Sequence, residues 1–101
     1  MAPFEILSLE QLDFFKKGTG YRAAPEGITT LEGSFPVNVD GGNLSRGQSP
    51  SASTLVQAVE VVLQLTGRAD KRQVNCPNGL GLVEGHGGSN FQNVSVMILS
   101  R

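Results

Sequence analysis

The sequence predicts an α/β fold in which helices pack on a short mixed sheet. Three observations carry that expectation. Residues 54–66 repeat apolar side chains at helical spacing, residues 93–100 form a β-branched apolar run, and glycine and proline punctuate the stretches between them. With 101 residues the chain is bounded at one compact domain, residues 1–101. A domain of that size buries only about 60–65% of its unfolded surface, so its margin of stability is thin.

The elements follow in order. Residues 3–17, PFEILSLEQLDFFKK, read as a helix. Pro3 is tolerated in a first turn, Glu5 suits the positive N-terminal end, and Lys16 and Lys17 suit the C-terminal end before Gly18. Phe4, Leu7, Phe14 and Phe15 share one broad side of that helix. Residues 18–27, GTGYRAAPEG, are loop. Residues 28–40 carry β-branched side chains suited to one or two short extended pieces, with Pro36 restricting any strand there to an edge or its first residues.

TLVQAVEVVLQLT, residues 54–66, is the strongest helical signal. Leu55, Ala58, Val59, Val62 and Leu63 lie along one face, and Val56, Val61 and Leu65 widen it until little polar face remains. Ser53 or Thr54 is placed to cap it, Thr54 with Gln57 at capping-box spacing, and Gly67 to end it. GLGLVEG (79–85) reads as a short buried strand, HGGSNFQ (86–92) as a turn, and NVSVMILS (93–100) as a strand apolar on both faces. A strand of that kind expects cover on both sides.

Composition excludes several classes of function. The net charge is −1, which leaves no basic excess for nucleic acid. No apolar run approaches the length of a membrane helix, and MAPFEILSLEQ lacks a secretory h-region. The single cysteine, Cys76, forbids an internal disulfide and suits a reducing, cytoplasmic setting. It lies in NCPNG, a turn signal without a nearby group that would activate a thiol. One cysteine and one histidine among scattered carboxylates do not make a metal site. GGNLSRG and GLGLVEG lack the lysine spacing of a phosphate loop, and no cofactor is expected. For the cluster Arg68, Lys71 and Arg72, a solvated loop and a phosphate contact both stand open.

The order and the glycine punctuation carry a resemblance. PVNVDGGNLSRGQSPSASTLVQAVEVVLQLTGRADKRQV (36–74) resembles the C-terminal region of thiolases, in particular the sterol carrier protein x type and related acetyl-CoA acetyltransferases. Those read P-V-N-x-x-G-G-x-L-S-x-G-H-P-x-G-A-T-G, then a helix ending L-R-G, then R-Q-V. GLGLVEGHGGSNFQNVSVMILSR resembles the closing turn and strand of that branch, and LSLEQLDFFKKGTG its L-E-x-L-G-F-x-x-x-G-E-G helix. The resemblance runs from about Ile6 to Arg101 and implies acyl-CoA thioesters as substrates, in lipid metabolism.

Two departures bear on activity. The family histidine, a base toward the nucleophilic cysteine, falls on Gln48, and Gln48, Ser49, Pro50, Ser51 and Ala52 stand where the family reads H-P-x-G-A. Glutamine keeps a hydrogen-bond donor for a carbonyl but cannot serve as a base, and losing a base costs about 10²–10⁴ in rate. The cysteine that many thiolases place before the last glycine turn falls on Val83, and the upstream acyl-accepting cysteine motif is absent from these residues.

The resemblance also puts the backbone N–H at Gly85 forward as an oxyanion donor, with Gly85 and Gly87 keeping the turn shape. His86, the sole histidine, is a candidate replacement base or a solvated loop residue. The expectation is a thiolase-like acyltransferase C-terminal domain, inactive alone and needing another copy or a thiolase-like subunit. The alternatives are a non-catalytic interaction subunit or regulator, and a gene remnant.

Overall fold

The computed structural model describes residues 2–44, 46–49, 52–88 and 92–101. Its elements are α1 (Ala2–Gln11), α2 (Ser53–Leu65), β1 (Leu80–Gly87) and β2 (Asn93–Ser100), with single 3₁₀ turns at Gly20–Arg22 and Asp70–Arg72. The chain forms two compact units, Met1–Val39 and Asp40–Arg101.

In the first unit, α1 stops well short of the Lys16–Lys17 end that the sequence predicts. Asp13 adopts a left-handed φ of 59°. Its N–H then donates to the Glu10 carbonyl at 3.2 Å, and the Phe14 N–H donates to the Leu9 carbonyl at 3.0 Å. That pair of closing bonds is a Schellman ending with aspartate in the place usually held by glycine. The chain beyond it is free to turn, and Phe14 and Phe15 meet Phe35, with ring centroids 4.7 and 6.0 Å apart.

The Glu10 carboxylate accepts the N–H of Gly18 at 2.9 Å and of Gly20 at 2.8 Å, stapling the following loop back to α1. Gly20 fits closely there: a Cβ would stand 2.9 Å from Glu10 Oε1 and 3.2 Å from the Ile6 carbonyl. Among the described residues no strand forms at 28–40. Phe35 donates to Ile28 at 3.0 Å and Val37 to Thr29 at 3.1 Å. Pro36, between the two donors, has no N–H with which to continue a ladder.

In the second unit, α2 lies on a two-stranded antiparallel sheet. The register runs from Leu80 opposite Ser100 to Gly87 opposite Asn93. The sheet is therefore antiparallel among the described residues, without the parallel component of a mixed sheet. His86 and Gly87 belong to β1 rather than to a turn, and the chain bends at Gly88, with φ of 78°. Residues 89–91, the rest of the expected turn, lie outside the described residues.

The expected Thr54–Gln57 capping box does not form. Ala52 occupies the N-cap position, without a side-chain cap. The Ser53 hydroxyl instead donates to the Ser49 carbonyl at 2.9 Å and accepts the Ser49 N–H at 3.1 Å. Gly67 ends α2 as expected: with φ of 69° it donates to Gln64 at 3.3 Å, and Arg68 donates to Leu63 at 2.8 Å.

Beyond that end, two glutamines bind the chain reciprocally. Gln64 donates to the Arg72 carbonyl at 2.7 Å and accepts the Val74 N–H at 2.9 Å. Gln73 donates to the Gln64 carbonyl at 2.8 Å and accepts the Ala69 N–H at 3.1 Å. The core of this unit is small: Leu65, Ala69 and Val83 are buried. Side chains along β2 are exposed except for the half-buried Leu99, so the cover that its two apolar faces predict is missing.

Candidate functional site

The expected site lies around the loop that enters α2. Asp40 opens that loop with an Asx turn, its Oδ1 accepting the Gly42 N–H at 2.9 Å. Arg46 closes it, pairing with Asp40 at 2.8 Å and donating to the Gly42 carbonyl at 3.1 Å. Asp40 and Arg46 thus hold each other.

Gln48 follows in a segment that is neither helix nor strand. Its side chain is exposed and makes no hydrogen bond among the described residues. Pro50 and Ser51, also part of the matched motif, lie outside the described residues. A hollow of about 90 Å³ at the helix mouth is lined by Asn43, Arg46, Ser49, Ser53 and Val56 among others. Small-molecule sites span about 300–1,000 Å³, so this hollow does not enclose a substrate.

β1 passes directly beneath α2. A Cβ built on Gly85 would stand 2.5 Å from Thr54 Oγ1 and 3.1 Å from Ser95 Oγ, and one built on Gly81 would collide with Val61 Cγ1. Glycines four residues apart on the strand therefore seat two points of the helix, Thr54 and Val61, about two turns apart. Thr54, expected to cap α2, instead brings the helix mouth against Gly85.

Gly81, Val83 and Gly85 face α2, so alternation along the strand places Leu82, Glu84 and His86 on the opposite face. His86 Nε2 lies 3.2 Å from Glu84 Oε1, an ion pair when the imidazole is protonated. The sheet thus lies between His86 and the start of α2. Gly87 has open space around its Cβ position. The structure brings Gly85 to the helix mouth and puts His86 on the other side of the sheet.

Two residues of the basic cluster after α2, Arg68 and Arg72, have partners within the chain. Arg72 forms a two-pronged pair with Glu60, with contacts of 2.8–3.0 Å. Hydrogen bonding to that carboxylate raises the Arg72 pKa further above the ordinary arginine range. Arg68 donates to Thr66 Oγ1 at 3.0 Å, and Lys71 is exposed. Cys76 is half-buried at the head of a turn, its carbonyl accepting the Gly79 N–H at 3.0 Å. Among the described residues no three metal-ligating side chains cluster. No helix among them is long and apolar enough to cross a membrane.

Sequence reasoning missed the Thr54–Gly85 contact and the glutamine pair. The Gly81–Gly85 spacing opposite an apolar helix was the available signal for the first. Nothing local signals the second.

A helix seated on a glycine-spaced antiparallel hairpin, entered through a Gly-Gly loop closed by Asp40 and Arg46, is the closing segment of a thiolase-type α/β fold. The chain belongs to the thiolase C-terminal domain-like family, which it matches over residues 1–101. It is 43% identical over 96 residues to an acetyl-CoA acetyltransferase of Methanothermobacter thermautotrophicus, covering 95% of this chain and 24% of that protein. It is 36% identical over 76 residues to the non-specific lipid-transfer protein-like 2 of Caenorhabditis elegans, covering 74% of this chain and 18% of that one. Human sterol carrier protein 2 is 37% identical over 70 residues, covering 69% of this chain and 13% of its own length. The chain thus spans a quarter or less of the length of these relatives.

Proposed function

We propose that this chain is a thiolase-like acyltransferase C-terminal domain. It contributes to acyl-CoA thioester chemistry only beside a chain that supplies the acyl-accepting cysteine, and it is silent alone. Position 48 carries this reading. An exposed glutamine stands where the family has its histidine, so the loop retains its place at the helix mouth without a base. In this reading the Gly85 N–H is the oxyanion donor, as the resemblance implies. His86, across the sheet, has no part in it, and Gly87 serves strand geometry. The similarity to an acetyl-CoA acetyltransferase over most of the chain supports the substrate class. The single unpaired cysteine supports a cytoplasmic setting.

The test is acetoacetyl-CoA thiolysis by the purified chain, alone and with the cysteine-bearing part of a related thiolase. No turnover alone is the expected result. A rate abolished by Gln48→Ala would overturn the reading.

A second reading, a non-catalytic subunit or regulator, is favoured by the open apolar surfaces. Leu55, Val59 and Val62 on α2 and Val94, Val96 and Ile98 on β2 are 40–67% exposed. Co-purification with a thiolase-like enzyme whose rate changes without any transfer of acyl groups to this chain would select it. Failure of the chain to accumulate in a folded form would instead favour a gene remnant.

A further inference from the structure

We infer that Asn78 is a site of spontaneous covalent change, its side chain closing on the Gly79 nitrogen to a cyclic imide that water opens to an isoaspartyl link. The change needs only water and is independent of any thioester chemistry. Of the asparagines in the chain, Asn78 is the one followed by glycine. Asn38, Asn43, Asn75, Asn90 and Asn93 each precede a residue with a Cβ, which crowds the nitrogen that must attack.

The fold adds to that local chemistry. Pro77 and Asn78 form the corner of a turn closed by the Gly79 N–H, which donates to the Cys76 carbonyl at 3.0 Å, and Asn78 is exposed. Asn78 Oδ1 accepts the N–H of Leu80 at 3.3 Å, which folds the side-chain amide back over the Gly79 peptide. Nucleophile and electrophile are thus held together before they react. The Leu80 N–H also stands where negative charge develops on Oδ1 as the nitrogen adds. Gly79, with φ of 63°, is buried and its N–H is occupied, so closure waits on opening of the turn.

In the closing step the Gly79 nitrogen bonds to Asn78 Cγ. The bond from Cγ to the side-chain nitrogen breaks, and that nitrogen leaves as ammonia with the proton that Gly79 gives up. Water then opens the imide. Attack at Cγ yields aspartate, and attack at the main-chain carbonyl leaves the backbone running through the side chain, one methylene longer. Either product carries a negative charge where the amide was neutral. The longer link falls just before Gly79, whose carbonyl accepts the Arg101 N–H at 2.9 Å at the end of the β1–β2 hairpin.

Asp40 has the same local form without the same chemistry. It precedes Gly41, and its Oδ1 accepts an N–H two residues on, that of Gly42 at 2.9 Å. Its electrophile is a carboxylate paired with Arg46 at 2.8 Å, and its side chain is only 10% exposed. A carboxylate offers no neutral leaving group to an attacking amide, so Asp40 should persist while Asn78 converts.

The experiment is prolonged incubation of the full, folded chain in warm, mildly alkaline buffer, then digestion and fragment mass analysis. An isoaspartate-directed methyltransferase labels the altered links. The expected product is about one dalton heavier, with the mass gain and the label both at residue 78. Asn78→Gln, whose side chain would have to close a larger ring, should lose the signal, and Gly79→Ala should lose most of it. Gly79→Ala also places a side chain at a left-handed residue, so circular dichroism checks its folding. If it fails to fold, Asn78→Gln, at an exposed position, carries the test. No conversion at Asn78 in the folded chain, equal conversion at Asn75 or Asp40, or a signal that survives Asn78→Gln would each overturn the inference. None of these outcomes bears on thiolysis.

Discussion

The two compact units are held by different forces. Met1–Val39 is tied by a carboxylate that accepts two glycine N–H groups, a helix ending turned on Asp13 and two rings against Phe35. In Asp40–Arg101, beside the Asp40–Arg46 and Glu60–Arg72 ion pairs, volume fixes the helix: glycines seat it on a hairpin, and buried Val83 and Leu65 fill the space between. The Glu10 staple of the first unit should therefore respond to pH, and the helix seat of the second to the addition or removal of single atoms.

The largest expected effects lie in the second unit. Gly81→Ala and Gly85→Ala should each lower stability by about 1–3 kcal/mol, because each new Cβ meets a β-branched side chain on α2. Gly87→Ala, with open space at that position, should change stability by no more than about 0.5 kcal/mol. Thr54→Ala should recover much of the loss in Gly85→Ala, and Val61→Ala in Gly81→Ala. Denaturant melts of the single and double variants measure this coupling. Additive losses would mean that the helix does not sit where the glycines place it.

The glutamine pair should come next. Gln64→Leu keeps the bulk but leaves the Arg72 carbonyl and the Val74 N–H without their partner. The expected loss is about 1–2 kcal/mol, since both groups are partly buried. Amide exchange at Val74 should quicken with it. Unchanged exchange at that residue would show that β1 alone fixes the end of α2.

What the sequence made legible follows the same division. The apolar period of α2, its Gly67 ending and the Asn93–Ser100 strand are local signals, and the structure keeps them. α1 was over-extended, because periodicity through Phe14 and Phe15 masked the turn at Asp13, a residue that tolerates left-handed backbone far less often than glycine. The Glu10 staple spans eight and ten residues and leaves no periodic trace. In the site, the loss of a base at Gln48 was readable from residue type alone. That His86 faces away from α2 was not, because it depends on Gly87 and His86 extending β1 instead of turning.

The two helix endings allow a smaller test. Asp13→Gly relieves a left-handed side-chain conformation and should stabilise the first unit by up to about 1 kcal/mol, whereas Gly67→Ala creates that strain and should cost about 1 kcal/mol. Opposite signs in thermal melts support matched endings. A loss from Asp13→Gly would mean that the carboxylate there does more than occupy the turn.

The smallest effect is the most diagnostic of the first unit. Hydrogen bonds from the Gly18 and Gly20 N–H groups hold the Glu10 carboxyl pKa below its ordinary value. A depressed folded-state pKa stabilises the fold above the unfolded-state value, and that contribution is lost as pH falls through the folded one. The difference in melting temperature between the wild type and Glu10→Gln should therefore be full near neutrality and shrink in acid. Over the same range, amide exchange at Gly18 and Gly20, corrected for intrinsic rates, should lose protection in the wild type while the Val83 amide in β1 keeps its own. A melting difference that stays level across the acid range would mean that Glu10 acts by shape rather than charge, and the contrast between a carboxylate staple and a glycine-seated helix would fail.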